Sequence, residues 1–245
     1  MINPPVSITT PCFQTAWLEV VKRLIDNQWK LRNLIVHIEN PTTFCQDFHQ
    51  DICNFTEQVG LLGPKHVAYT IFPHRLYQKK GNKNELFASY NRSNGLFERI
   101  QNRKRSWGSY FRRMIYYETG SGEIQNQLEN IIRAIRVRSN ISTAAYTIII
   151  QKPGGETIRP LGGPCLNYIA VQLEPGNPVK LGLLAVYRNH DFLERAYGNY
   201  WGLCNLMSFL AKETGTTSGP LTCVSSQAYV SGKKTALKSL VDSLR

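Results

Sequence analysis

Six thiols stand at positions 12, 45, 53, 165, 204 and 223. A cysteine can bridge, hold a metal or attack an electrophile. No pair is spaced CxxC, and no Cys/His group has the spacing of a zinc site. Cys45, His49 and Cys53 form a Cys-x3-His-x3-Cys run, but no second pair stands elsewhere, so no metal is expected. A cytosolic chain of this size needs no disulfides. Most of these thiols are therefore expected to be small buried hydrophobes, leaving at most one or two for nucleophilic chemistry.

Anion chemistry is the second possibility. Lys and Arg total 29 against 17 Asp and Glu, a net charge of +12. Such a balance suits nucleic acid, a membrane surface or a phosphorylated small molecule. The excess concentrates in 79–113, where ten basic residues face two acids, Glu85 and Glu98. Phe87, Tyr90, Phe97, Trp107, Tyr110 and Phe111 interleave with them. The stretch reads either as a phosphate or nucleic-acid site or as a solvated, partly mobile insertion. Glu118-Thr119-Gly120-Ser121-Gly122 invites a phosphate-loop reading but lacks the Walker lysine, so it reads as a loop. Gly154-Gly155 and Gly162-Gly163 read as turns. His37 alternates with Val36 and Ile38 and is expected to face solvent. His190 could move a proton but reads more simply as exposed.

The elements that must position these groups follow from periodicity. Helical spacing of apolar residues marks 15–26, with Thr15 as N-cap, and 43–59, 124–138, 199–214 and 233–244. Residues 66–72 are short and extended or helical. A short helix is expected over 96–102, after turn formers at Gly81, Asn82, Asn84, Asn94 and Gly95. Strands are expected over 33–39, 144–151, 166–173, 181–187 and 221–230. Helices and strands mix without strict alternation, which favours an α+β fold over a doubly wound one. The 245 residues are read as one domain, and 42% hydrophobic with 19% charged residues excludes wholesale disorder. No apolar run approaches the ~18 residues of a membrane span. Residues 1–11 lack the basic and apolar regions of a secretory signal, so the cytoplasm is the default expectation.

Three short segments then stand out together. Pro164-Cys165 sits at a turn before an alternating strand. Tyr187-Arg188-Asn189-His190-Asp191-Phe192 follows the next strand. Asn199 lies eleven residues after Arg188, at the start of a helix. Together they resemble the thymidylate synthase and pyrimidine nucleotide hydroxymethylase superfamily, as a divergent member. The match is strongest over 165–230. Weaker correspondence reaches Trp107-Gly108-Ser109-Tyr110-Phe111-Arg112, which resembles the family's Tyr-Gly-x-x-x-Arg turn. The resemblance implies a mixed, bent β-sheet flanked by helices, a homodimer packed through sheet faces, and 5,10-methylenetetrahydrofolate as cofactor. It implies Cys165 as nucleophile and Arg188, Asn189, Asn199 and Tyr229 as substrate-binding residues. Asp191 would bind the pterin, with Trp107 also on the cofactor side.

The chemistry accounts for those residue types. Carbon 5 of a pyrimidine is a poor nucleophile until a thiolate adds at carbon 6 and makes an enolate. An arginine nearby can stabilise the thiolate and bind the phosphate. An amide such as Asn199 can donate to a carbonyl and accept from a ring N–H, which suits uracil. An aspartate there would suit cytosine.

Departures from the family pattern cluster at the phosphate and sugar ends. Ser142-Thr143-Ala144 stands where paired arginines are expected, Leu166 replaces a histidine, and Tyr229-Val230-Ser231 stands for His-x-Tyr. Arg23, Lys30 and Arg32 are possible phosphate substitutes, as are Arg103, Lys104, Arg105, Arg112 and Arg113. Glu39 and Glu118 are the candidates for the catalytic glutamate. The leading expectation is a folate-dependent C5 methyl- or hydroxymethyltransferase of a pyrimidine, preferentially uracil, nucleotide. The alternatives are a cytosine-nucleotide hydroxymethylase and a non-catalytic protein that binds nucleotide or nucleic acid on the same fold.

Overall fold

The computed structural model describes residues 4–101, 107–137, 143, 146–152 and 163–244, and for 93–101 the backbone alone. In chain order the elements are β1 (Val6–Thr10), α1 (Phe13–Asp26), β2 (Lys30–Ile38), α2 (Gln46–Gln58), α3 (Pro64–Ile71), α4 (His74–Lys80), α5 (Lys83–Gln101) and α6 (Tyr110–Ile115). There follow β3 (Tyr117–Glu118), β4 (Ile124–Gln125), α7 (Gln127–Val137), β5 (Tyr146–Ile149), β6 (Leu166–Glu174), β7 (Lys180–Tyr187), β8 (His190–Asp191), α8 (Ala196–Thr214), β9 (Thr217–Tyr229) and α9 (Lys234–Ser243). This is the expected mixed α+β architecture, with a bent sheet flanked by helices.

The sheet runs β1-β2-β9-β7-β6-β5, with β8 joined to the end of β9. β9 lies antiparallel to β2 and parallel to β7, so the sheet is mixed. Alternation sorts its residues onto two faces. On one face Leu34, Val36, Ile38, Leu183, Leu221 and Cys223 are buried under α1 and α8. On the other, two cross-strand rows run Ile35–Val224–Val186–Tyr168–Ile149 and His37–Thr222–Leu184–Ala170–Thr147. All ten are half-buried except Thr147, which is exposed. No described helix covers this largely apolar face.

α8 is buried over most of its surface, as its largely apolar run LCNLMSFLA requires, with Asn205 and Ser208 half-buried. It lies against α3 through Gly198 and Gly202. A Cβ on Gly198 would stand 2.5 Å from Val67 Cβ, and one on Gly202 would stand 2.9 Å from the Ala68 carbonyl oxygen. Backbone contact of this kind requires the two glycines.

Several boundaries differ from expectation for local reasons. Thr15 is not the N-cap of α1. Cys12 occupies that position, and its N–H donates to Thr15 Oγ1 at 3.4 Å in a capping box. The helix expected from 124 begins at Gln127, because Asn126 Oδ1 accepts from the Glu129 N–H and Ile124-Gln125 pair in a hairpin. That hairpin contains the Thr119–Gly122 turn, so the glycine run is a loop as expected. α8 begins three residues before Asn199. β1, between prolines, was not foreseen. The helix over 96–102 is the end of a longer one: α5 starts at Lys83, where Asn82 Oδ1 caps the Glu85 N–H. Burial of Leu86, Phe87 and Tyr90 in the core overrides the turn preference of Asn94 and Gly95.

His37 is not simply solvent-facing: it is half-buried and its Nδ1 bonds Thr222 Oγ1 at 2.9 Å. Arg103, Lys104, Arg105, Ser142, Ala144, Gly154, Gly155 and Gly162 lie outside the described residues. No described helix is long and apolar enough to cross a membrane.

Candidate active site

β6 begins where β7 ends, and this junction builds the site. Leu166 pairs with Tyr187, and one rung beyond, the Arg188 N–H donates to the Cys165 carbonyl at 2.9 Å. Arg188 Nε reaches back to the Pro164 carbonyl at 3.1 Å. Tyr110, at the first turn of α6, accepts the N–H of Cys165 at 3.2 Å and of Leu166 at 3.5 Å on its hydroxyl. Ser109 caps that helix by accepting the Arg112 N–H at 3.1 Å. The half-buried thiol is therefore held on a backbone fixed from two sides.

After Arg188 the chain turns into β8, where Asp191 registers with Tyr229. Asp191 Oδ1 accepts the N–H of Leu193 at 3.0 Å and of Ser231 at 3.4 Å, tying β8 to the end of β9. α8 then brings Asn199 inward.

One cavity of about 300 Å³ is lined by Cys165, Asn189, Asp191, Asn199, Tyr229 and Trp107, with Tyr110, His190, Glu194 and Arg195. Val67 and Thr70 of α3 complete the wall. Six of the seven expected site residues thus meet in one place. The seventh, Arg188, is not on the lining, but its guanidinium lies behind Gly163, which is.

The cavity's polar groups have distinct states. Asn189 hydrogen-bonds Tyr229 through its side chain, while its Oδ1 is buried without a partner. Burial, then the neighbouring Asp191 carboxylate, raise the Tyr229 phenol above its ordinary value. Trp107 lies tilted against Tyr110, ring centres 4.9 Å apart and planes 43° apart. His190 is only 1% exposed, not solvent-facing as its sequence setting suggested. It stacks on Tyr187 at 4.1 Å and 3°, and meets Tyr200 edge-on. Burial pushes its imidazole down to about 3, so the ring is neutral. Asn199 Nδ2 donates to its Nε2 at 3.1 Å, and its Nδ1–H donates to Ser225 Oγ at 3.0 Å.

The proposed glutamates do not reach the cavity. Glu39 ends exposed beyond β2. Glu118 pairs with Lys152 at 3.3 Å on the surface. The carboxylates that do line it are Asp191 and Glu194, the latter 3.6 Å from the Arg195 guanidinium. Two basic residues expected to be free for phosphate are engaged in the fold. Arg113 is 8% exposed and donates to the Trp107 and Ile150 carbonyls at 3.0 and 2.9 Å. Arg112 lies over the Tyr116 ring at 4.0 Å. Glu194, Val67 and Thr70 carried no chemical signal in the sequence, and Tyr110 stood out only as an aromatic of the 107–112 segment; tertiary packing brings them to the cavity. Among the described residues no His, Cys, Asp and Glu cluster could hold a metal.

No family model and no curated protein matches the sequence. Among solved structures the chain is similar to the thermostable thymidylate synthase A from Bacillus subtilis. The TM-score is 0.56 at 16% identity, over 94% of this chain and 84% of that one. The shared property at that identity is the fold.

Proposed function

We propose that this chain is a folate-dependent C5 methyl- or hydroxymethyltransferase acting on a pyrimidine nucleotide, with uracil the preferred base, through a Cys165 adduct. The observation that carries the reading is the meeting of the Cys165 thiol with Asn199 in one cavity, at a strand junction stiffened by Arg188 and Tyr110. The Sγ–C6 bond forms as the C5–C6 π pair moves toward the C4 oxygen, giving an enolate nucleophilic at C5. The bound folate would supply the one-carbon unit and, for methylation, the hydride that completes it, with water completing hydroxymethylation; once C5 has lost its proton and the one-carbon unit has parted from the folate nitrogen, the C5–C6 double bond returns and the thiolate is expelled. Glu194 is our candidate to accept that proton, because it is a cavity-lining carboxylate not tied to backbone amides.

Two features fit methylenetetrahydrofolate, which supplies the one-carbon unit when bound. The half-buried Trp107 offers an aromatic wall, and the unpartnered Asn189 Oδ1 offers an acceptor to a ring N–H. Asp191 is already occupied through Oδ1, so a role toward the pterin would fall to its other oxygen. For the phosphate, Lys30 lies opposite Tyr229 on β2 and Arg32 opposite Gln227, both exposed. These two are better placed than Arg112 or Arg113.

The reading includes a homodimer. The uncovered rows Ile35–Val224–Val186–Tyr168–Ile149 and their neighbours form the face a second copy would cover.

The test is tritium release from carbon 5 of UMP, dUMP, CMP and dCMP with methylenetetrahydrofolate. Release from the uridine nucleotides supports the reading. Release from the cytidine nucleotides alone would favour the cytosine hydroxymethylase. No release despite nucleotide binding would leave a binding protein.

A further inference from the structure

We infer that His190 is a positioning residue that turns the Asn199 amide into a reader of one pyrimidine edge rather than of either. The inference rests on the proposed function, in which Asn199 faces the base. A free carboxamide is nearly symmetric in shape. Rotated by half a turn, it offers donor then acceptor, or acceptor then donor. Uracil presents a carbonyl and a ring N–H; cytosine presents an amino group and a bare ring nitrogen. An amide able to flip would therefore satisfy both.

Here it is held. Asn199 is 3% exposed, and its Nδ2 donates to His190 Nε2 at 3.1 Å. That bond needs a bare Nε2, hence the proton on Nδ1. Nδ1 is where the imidazole meets Ser225 Oγ at 3.0 Å on the buried face of β9. The ring cannot turn to exchange its nitrogens, because it is sandwiched flat on Tyr187 and closed by Tyr200 and Phe192. Among the described residues no charged side chain appears as its hydrogen-bond or ring partner. With Asn199 Nδ2 on Nε2, the chain Ser225–His190–Asn199 runs in one direction, Nε2 accepting from the amide and Nδ1–H donating to Ser225 Oγ. Nδ2 is committed toward the histidine, and the amide meets the base with one fixed order of acceptor and donor. A neutral, trapped imidazole acts here as a tautomer lock, not as a proton carrier.

The test is calorimetric titration of UMP, dUMP, CMP and dCMP into the full chain, wild type and His190→Gln, with Asn199→Asp alongside. The inference expects wild type to discriminate the two bases. It expects the ratio in His190→Gln to fall about tenfold toward unity, since one misassigned polar pair is worth roughly that factor. If His190→Gln folds and keeps the wild-type ratio while Asn199→Asp shifts it, this inference fails and the pyrimidine reading stands. If wild type binds none of the four, both fall. Should His190→Gln not fold, nitrogen NMR of the histidine-labelled wild type decides. A neutral ring protonated on Nδ1 from about pH 5 to 8 is expected, and an Nε2–H tautomer overturns it.

Discussion

The Arg188 N–H donates to the Cys165 carbonyl oxygen at 2.9 Å, one rung past the end of the β6–β7 ladder. A nucleophile and a cation from different strands are thereby joined through backbone. The Arg188 Nε bond to the Pro164 carbonyl at 3.1 Å adds a second tie on the other side of the same residue.

Cys165→Ser should abolish C5 tritium release and leave the melting temperature near wild type, because the side chain is half-buried and the anchoring bonds are made by backbone. A hydroxyl is a far weaker nucleophile at neutral pH. Release retained in that variant would reduce Cys165 to a packed thiol.

Asn199→Asp should move preference from uridine toward cytidine nucleotides by about tenfold to a hundredfold, the worth of one bidentate pairing at roughly 1–3 kcal/mol. Competition between the two nucleotides measures it. An unchanged ratio would remove Asn199 from base reading.

Acid should destabilise the fold through buried His190 and half-buried His49 and His74. The His190 imidazole is pushed from 6.5 down to about 3 by burial, and burial also lowers His49 and His74. Between those values the unfolded chain binds the proton and the folded chain does not. The stability His190 contributes is therefore present above about 6.5 and is lost as pH falls toward 3, and His49 and His74 act in the same direction. Thermal melts across that range should show the loss, with a shallower slope in His190→Gln.

Arg113→Gln should cost about 2–4 kcal/mol of stability by stranding two buried carbonyls, and should leave nucleotide affinity of the folded protein unchanged. A selective loss of affinity would restore Arg113 as a phosphate ligand.

Wild type should sediment at twice the chain mass at micromolar concentration, and Val186→Glu, at the middle of an uncovered row, should sediment as one chain. A wild type that sediments as a single chain would sink the dimer.

The elements most legible in the sequence were those with strong periodicity, such as α1, β6, β7 and α8. Their register carries Cys165, Arg188, Asp191 and Asn199 to one end of the sheet, so the spacing of those residues held spatial information. What was illegible came from tertiary contact. α5 swallowed Asn94 and Gly95 because Leu86 and Tyr90 are buried beneath it. Glu194 reached the cavity, and Glu39 and Glu118 did not, because the turn before α8 faces inward. His190 looked exposed because a lone polar residue in a loop gives no sign that Tyr187 and Tyr200 close around it.

The missing side chains at Gly198 and Gly202 set a dimension of the molecule. Val67 and Thr70 stand on the cavity wall because nothing separates α3 from α8. The gap available to a ligand is thus fixed by the thickness of two bare backbones, which cannot be compressed. Side-chain replacement on α3 can narrow the chamber or roughen it. Enlarging it beyond the volume of the Val67 and Thr70 side chains requires the whole helix to slide, so ligand size is policed by architecture and ligand identity by the few polar atoms at the far end.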